Sequence, residues 1–180
     1  KGKAKNDIEV LYKKNEKNDL FTLSIQIDFG SNDNKAISFA TGYFNFLGTV
    51  EKTAAQIKKE LYDLACNAGV NAAGEKVYIG VSGLSENMEA ALAIIEDKIA
   101  NAKGDDAVLA NYKANMFRQR ANSKTNQRAC YSMLTQYVNY GKNNPATYVL
   151  SNNEIQALTS EQLLDEIKNA LGYEQMITYY

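Results

Sequence analysis

The stretch that most constrains this chain is Phe21-Thr22-Leu23-Ser24-Ile25-Gln26-Ile27-Asp28-Phe29, where apolar and polar residues alternate without a break. Successive side chains of a strand point to opposite faces, so the run is a strand with one face in a core and the other solvated. Such a strand needs partners for its hydrogen bonds and a layer over its apolar face. Residues 8–12 are also β-rich, and the asparagine-bearing connection 13–19 reads as a hairpin. Gly30-Ser31-Asn32-Asp33-Asn34 breaks the strand and offers N-caps for a helix over 35–47, stopped by Gly48. Thr53 opens a second helix through residue 68, with Ile57, Leu61 and Leu64 on one face and Gly69 at its end. Residues 70–73 and 76–84 form a strand pair around Gly74, and Ser85 caps a helix through residue 101 with Met88, Leu92, Ile95 and Ile99 on one stripe.

Asp105 and Asp106 open a long helical stretch reaching Tyr140. Its apolar stripe lapses between Arg118 and Arg128, which leaves either a solvated turn or two helices in sequence. A loop over 141–145, a last helix from Thr159 to Leu171-Gly172 and a strand over 173–180 complete the order. Strands come in pairs and helices in runs. The fold class is therefore α+β, with helices layered on one face of an antiparallel-leaning sheet. A polar tail over 1–6 precedes a single α+β domain over 7–180, long enough to bury a core without staples.

Composition then limits the chemistry. There is no histidine among the 180 residues. That removes imidazole general bases, histidine-dependent nucleophiles and His-ligated zinc. Cys66 and Cys130 cannot supply a four-thiolate zinc site, fit no CxxC spacing and read as two buried free thiols. A net charge of −1 gives no whole-chain pull toward nucleic acid, and the apolar runs are far short of the ~20 residues of a membrane span. The chain starts at Lys1 with no signal sequence and reads as a mature segment or a piece of a longer protein, so the compartment is not legible.

Most local motifs dissolve on inspection. Gly80-Val81-Ser82-Gly83 has the wrong spacing for a nucleophile elbow, and Gly141-Lys142 lacks the rest of a phosphate loop. The carboxylate pairs Glu96/Asp97, Asp105/Asp106 and Asp165/Glu166 are adjacent on helices and so diverge by about 100°. Asp28 and Asp33 match no cation-binding spacing and read as turn chemistry. The charge pattern says more. Between residues 107 and 153 there is no acidic residue, while Lys113, Arg118, Arg120, Lys124, Arg128 and Lys142 give +6, interleaved with Tyr112, Phe117, Tyr131, Tyr137 and Tyr140. A solvated basic face over a tyrosine core is one reading. Contact with a peptide or a neighbouring domain through Lys113, Arg118, Arg120, Lys124 and Arg128 is another, and nucleic acid is the least favoured.

Several segments, in order, resemble the first half-domain of the pitrilysin/insulinase zinc metallopeptidases (inverzincins). They are Asp28-Phe29-Gly30-Ser31, Phe46-Leu47-Gly48-Thr49, and Cys66-Asn67-Ala68-Gly69-Val70-Asn71-Ala72. Further on come 77–84 with Ser85-Glu86-Asn87-Met88-Glu89-Ala90-Ala91-Leu92, then Tyr140-Gly141-Lys142-Asn143-Asn144-Pro145, then Ala157-Leu158-Thr159-Ser160-Glu161-Gln162-Leu163. Active members carry H-x-x-E-H on the helix before the Gly-Thr pair, two imidazoles for zinc and a glutamate that activates water. Counted back from Gly48-Thr49, those positions are Phe39, Gly42 and Tyr43, and the third ligand would fall near Arg118 to Arg120. The resemblance thus implies a degenerate, non-catalytic half-domain with no metal site of its own. It also implies a catalytic half with zinc elsewhere, in the same chain or a partner subunit, and a peptide substrate between the halves. An assembly module without peptide binding is the alternative. A soluble protein of the bacterial periplasm or cell envelope fits either.

Overall fold

The computed structural model describes every residue except Lys5, Asn6, Pro145 and Ala146, and at Asn143 the backbone alone. Lys5 and Asn6 of the expected tail and Pro145 of the expected loop lie outside the described residues. The strands in chain order are β1 (Gly2–Lys3), β2 (Glu9–Tyr12), β3 (Leu20–Ile27), β4 (Cys66–Ala72), β5 (Val77–Leu84) and β6 (Gln175–Tyr179). They form one six-stranded sheet in the order β1-β2-β6-β3-β5-β4. The alternating run becomes β3, paired antiparallel with β5 on one side and β6 on the other.

The register explains the alternation. Ile25 lies opposite Ile79 and Ile177, Ile27 opposite Val77, and Ile79 in turn opposite Val70. One face of the sheet is thereby apolar across neighbouring strands, and Phe21, Ile27, Val70, Val77, Ile79 and Val81 are buried on it. Thr22, Ser24 and Gln26 share the opposite face with Tyr78 and Ser82, which also places Ser82 within a paired strand rather than at an exposed elbow. The expected hairpin between β2 and β3 does not form. The last strand inserts between them, parallel to β2, and sets Ile177 beside both Val10 and Ile25. A long-range apolar match outweighs the local turn signal.

The helices are α1 (Lys35–Phe44), α2 (Ala54–Asp63), α3 (Met88–Asn101), α4 (Asp106–Thr125), α5 (Gln127–Tyr140), α6 (Asn152–Ala157) and α7 (Ser160–Ala170). By internal contacts the chain divides into two compact units, Lys1–Gly104 with Glu161–Tyr180, and Asp105–Ser160. In the first unit α1, α2 and α3 pack against β4, and α3 also against β5. α7 buries Leu163, Ile167 and Ala170, and its Glu166 accepts a 2.6 Å bond from the Asn34 side chain at the start of α1.

The boundary between α2 and β4 differs most from expectation. α2 opens with the Thr53/Gln56 capping box but ends at Asp63, because Ala65 takes a φ of 50° and turns the chain into β4. β4 therefore starts at Cys66 rather than Val70, its weakly strand-forming residues held by pairing along β5 and by burial of Cys66 and Val70. A 3-10 turn over Ser85–Asn87 precedes α3, which buries Ala91, Ile95 and Lys98. In the second unit the lapse in the apolar stripe is a true break. Asn126 ends α4 and caps α5 by accepting from the Ala129 N–H at 3.0 Å. α6, opened by a Ser151/Glu154 capping box, was not anticipated although Ser-Asn-Asn-Glu carries its signature.

Candidate functional site

The resemblance read from the sequence puts the zinc-binding motif of active pitrilysin-type enzymes on α1. Asn34 caps it, accepting from the Ala36 N–H at 2.8 Å, and Ile37, Phe39, Ala40, Tyr43 and Phe44 are all buried. Phe39 is 5% exposed and Tyr43 is fully inaccessible. Phe39 offers no lone pair, Gly42 no side chain, and Tyr43 an aromatic body committed to the core. These residues do not fit a zinc ion. Phe46 follows Phe39 and Tyr43 at the i, i+4, i+7 spacing of a helical stripe, but it lies beyond the helix end at 51% exposure, and Phe44 takes the buried place. The stripe fails there because the helix stops at Phe44.

The end of α1 is held by two residues that the motif comparison passes over. Asn45 reaches to the edge strand β4, donating to the Val70 carbonyl at 2.8 Å and accepting from the Val70 N–H at 3.1 Å. Its amide thus mimics a strand neighbour, and the pairing capacity of Val70 at the sheet edge is already used. Lys98 of α3 points its ammonium at the Asn45 carbonyl, 3.4 Å away, and over the Phe44 ring at 4.9 Å. Burial, with repulsion from Lys58 as a smaller cause, lowers its pKa to about 8. A cation beside a helix C-terminus complements the helix dipole, which offsets part of that desolvation. The sequence signal was present, since Lys98 stands at i+7 from Ala91 on the apolar stripe of α3. Gly48 then allows the tight turn after α1, where a side chain would overlap the Lys52 carbonyl and the start of α2.

The basic stretch lies in the second unit, and its residues divide into two groups. Lys113 donates to the Gln156 and Leu158 carbonyls at 2.9 and 2.7 Å. Arg120 donates to the Asn152 side chain and the Leu150 carbonyl, each at 2.7 Å. Both staple α4 to the segment that carries α6 and so serve the fold. Arg118, Lys124 and Arg128 make no side-chain hydrogen bond or ion pair to described residues and are the ones available to a partner. The tyrosine core expected beneath them does not exist. Tyr131, Tyr137 and Tyr140 are 71%, 52% and 63% exposed, while Tyr112 is half-buried and burial raises its pKa. α5 buries no residue. Cys66 is buried as expected, but Cys130 is exposed, because it sits on that unburied helix. The Asp33 carboxylate accepts from the Gly30 N–H at 2.8 Å, the turn role read from the sequence.

Among the described residues no helix is long and apolar enough to cross a membrane. No protein-family model matches the chain, and no curated protein matches it in sequence. Solved structures do. The peptidase M16 inactive domain from Pseudomonas fluorescens superimposes with a TM-score of 0.78 at 19% identity, over 99% of this chain and 45% of that one. The ferredoxin protease FusC, solved in complex with Arabidopsis ferredoxin, gives 0.78 at 13% identity, over 99% of this chain and 20% of that one. The periplasmic protease PqqL from Escherichia coli gives 0.75 at 14% identity, over 94% and 19%. The chain spans less than half the length of each of these structures. It has the α+β fold of a pitrilysin-type (M16) peptidase half-domain, the fold also taken by the inactive domain of that family.

Proposed function

We propose that this chain acts as a catalytically inactive half-domain of a pitrilysin-type zinc metallopeptidase and shapes the wall of a peptide chamber opposite a catalytic half. The observation that carries this reading is the burial of Phe39 and Tyr43 where a zinc site would need two exposed imidazoles. Similarity to a domain described as inactive supports it. Zinc then belongs to a catalytic half, in the same chain or in a partner subunit, and none is held by this domain. The complex of FusC with ferredoxin supports a protein or peptide substrate, met here by Arg118, Lys124 and Arg128. The periplasmic location of PqqL fits a place in the periplasm or envelope.

The test is to incubate the purified chain with zinc and an unstructured fluorogenic peptide, and to titrate the same peptide by fluorescence anisotropy. Binding without hydrolysis, weakened by Arg118→Glu with Arg128→Glu, is the expected result. Zinc-dependent hydrolysis overturns the proposal. The unburied apolar face of α5 favours a second reading, a structural module that assembles a larger complex. That reading holds if no unstructured peptide binds and charge reversal changes only assembly.

A further inference from the structure

In the second unit, α4, α5 and the segment 147–152 enclose an open groove of about 980 Å³. Phe117, Met133, Val149 and Leu150 give it apolar walls, and Lys124 and Arg120 stand in its lining. The groove continues onto α5. Residues on a helix turn by about 100° each, so Cys130, Met133, Leu134, Tyr137 and Val138 share one face. Met133, Leu134, Tyr137 and Val138 are 49%, 60%, 52% and 74% exposed. A solitary helix of this length is marginal in water, and its stability in proteins comes from burying such a face. Here the face is present and exposed among the described residues.

Charge selects the occupant. The groove and the α5 face lie within residues 107–153, a span with six basic residues and no acidic one. Lys113 and Arg120 are spent on internal bonds, which leaves Lys124 in the groove lining and Arg118, Arg128 and Lys142 elsewhere in the span to meet a partner. A basic ligand is repelled and a purely apolar one leaves these cations without counter-charges. We infer that this groove and the adjoining face of α5 dock an acidic amphipathic helix of a partner protein, with its apolar stripe on Met133, Leu134 and Tyr137 and its carboxylates toward Lys124. The mode is a helix laid into a hydrophobic groove, with anchors at i, i+3, i+4 and i+7. The inference rests on the reading of this unit as a contact surface and is independent of whether it lines a peptide chamber.

The experiment uses the 180-residue chain and three fluorescein-labelled synthetic peptides of about 18 residues, long enough to form a helix. One places leucines at i, i+3, i+4 and i+7 among glutamates, the second replaces the glutamates with lysines, and the third scrambles the first. Anisotropy titrations are expected to show saturable binding of the first peptide only. Met133→Asp and Lys124→Glu, both at exposed positions and both checked for native circular dichroism, are expected to weaken it at least ~10-fold each. Equal binding of the scrambled peptide overturns the helix-in-groove inference and leaves the peptide-chamber reading standing. Equal binding of the lysine peptide, or binding unaffected by Met133→Asp, overturns it as well. Sedimentation that shows a concentration-dependent dimer abolished by Leu134→Asp overturns it in favour of a second copy of this chain.

Discussion

Lys98→Met tests how the end of α1 is held. Lys98 is only 7% exposed, and its pKa falls from 10.5 to about 8 on folding, chiefly through burial. The folded pKa lies below the unfolded one, so the unfolded chain binds this proton more tightly. Below pH 8 both states are charged and the folded state bears the full cost of the buried charge. Between pH 8 and 10.5 the folded state sheds the proton first and stability rises with pH. At about 1.4 kcal/mol per unit the cost at neutral pH is about 3–4 kcal/mol. Methionine keeps most of the apolar stem and removes that cost. Against this stands the loss of the long bond to the Asn45 carbonyl and of the contact over Phe44, about 0.5–1 kcal/mol each. The net expectation is a gain of about 2 kcal/mol at pH 7, which fades as pH rises toward 10.5. Urea unfolding of both proteins at intervals from pH 6.5 to 10 measures it, and the comparison cancels the tyrosines and thiols that titrate in the same range. A variant less stable than the parent at pH 7, or a difference that does not change with pH, refutes the reasoning.

Tyr43→Ala removes a fully buried ring and is expected to cost about 3–5 kcal/mol, whereas Phe46→Ala at an exposed position costs well under 1; chemical denaturation of the pair reads the contrast. Asn45→Ala strands the N–H and carbonyl of Val70 at the sheet edge, for a loss of about 2–4 kcal/mol, and hydrogen exchange at Val70 is expected to accelerate with it. Titration of the native chain with a thiol reagent is expected to show one fast thiol, Cys130, and one, Cys66, that reacts only on unfolding.

The parts of the fold written in local periodicity were legible: the alternation of β3, the capping residues of α1 and α2, and the apolar stripe of α3. What long-range pairing decides was not. Nothing near Val10 announces that Ile177 lies beside it, and the asparagines of β4 argue against a strand until β5 pairs with them. The placing of a degenerate motif at Phe39, Gly42 and Tyr43 rests on the resemblance; the structure adds that Phe39 and Tyr43 are buried. The sorting of the basic residues was not legible. A lysine stapled to backbone carbonyls and a lysine in solvent look alike in a sequence, and only the path of residues 150–158 separates Lys113 and Arg120 from Arg118 and Arg128.

Zinc content bears most directly on the claim that Phe39 and Tyr43 have turned a metal-binding helix into a core helix. The purified chain is incubated with excess zinc, desalted and measured by inductively coupled plasma mass spectrometry. Far less than one zinc per chain, with thermal stability unchanged by the metal, is the predicted result. One tightly held zinc per chain, with a rise in the unfolding temperature, contradicts it.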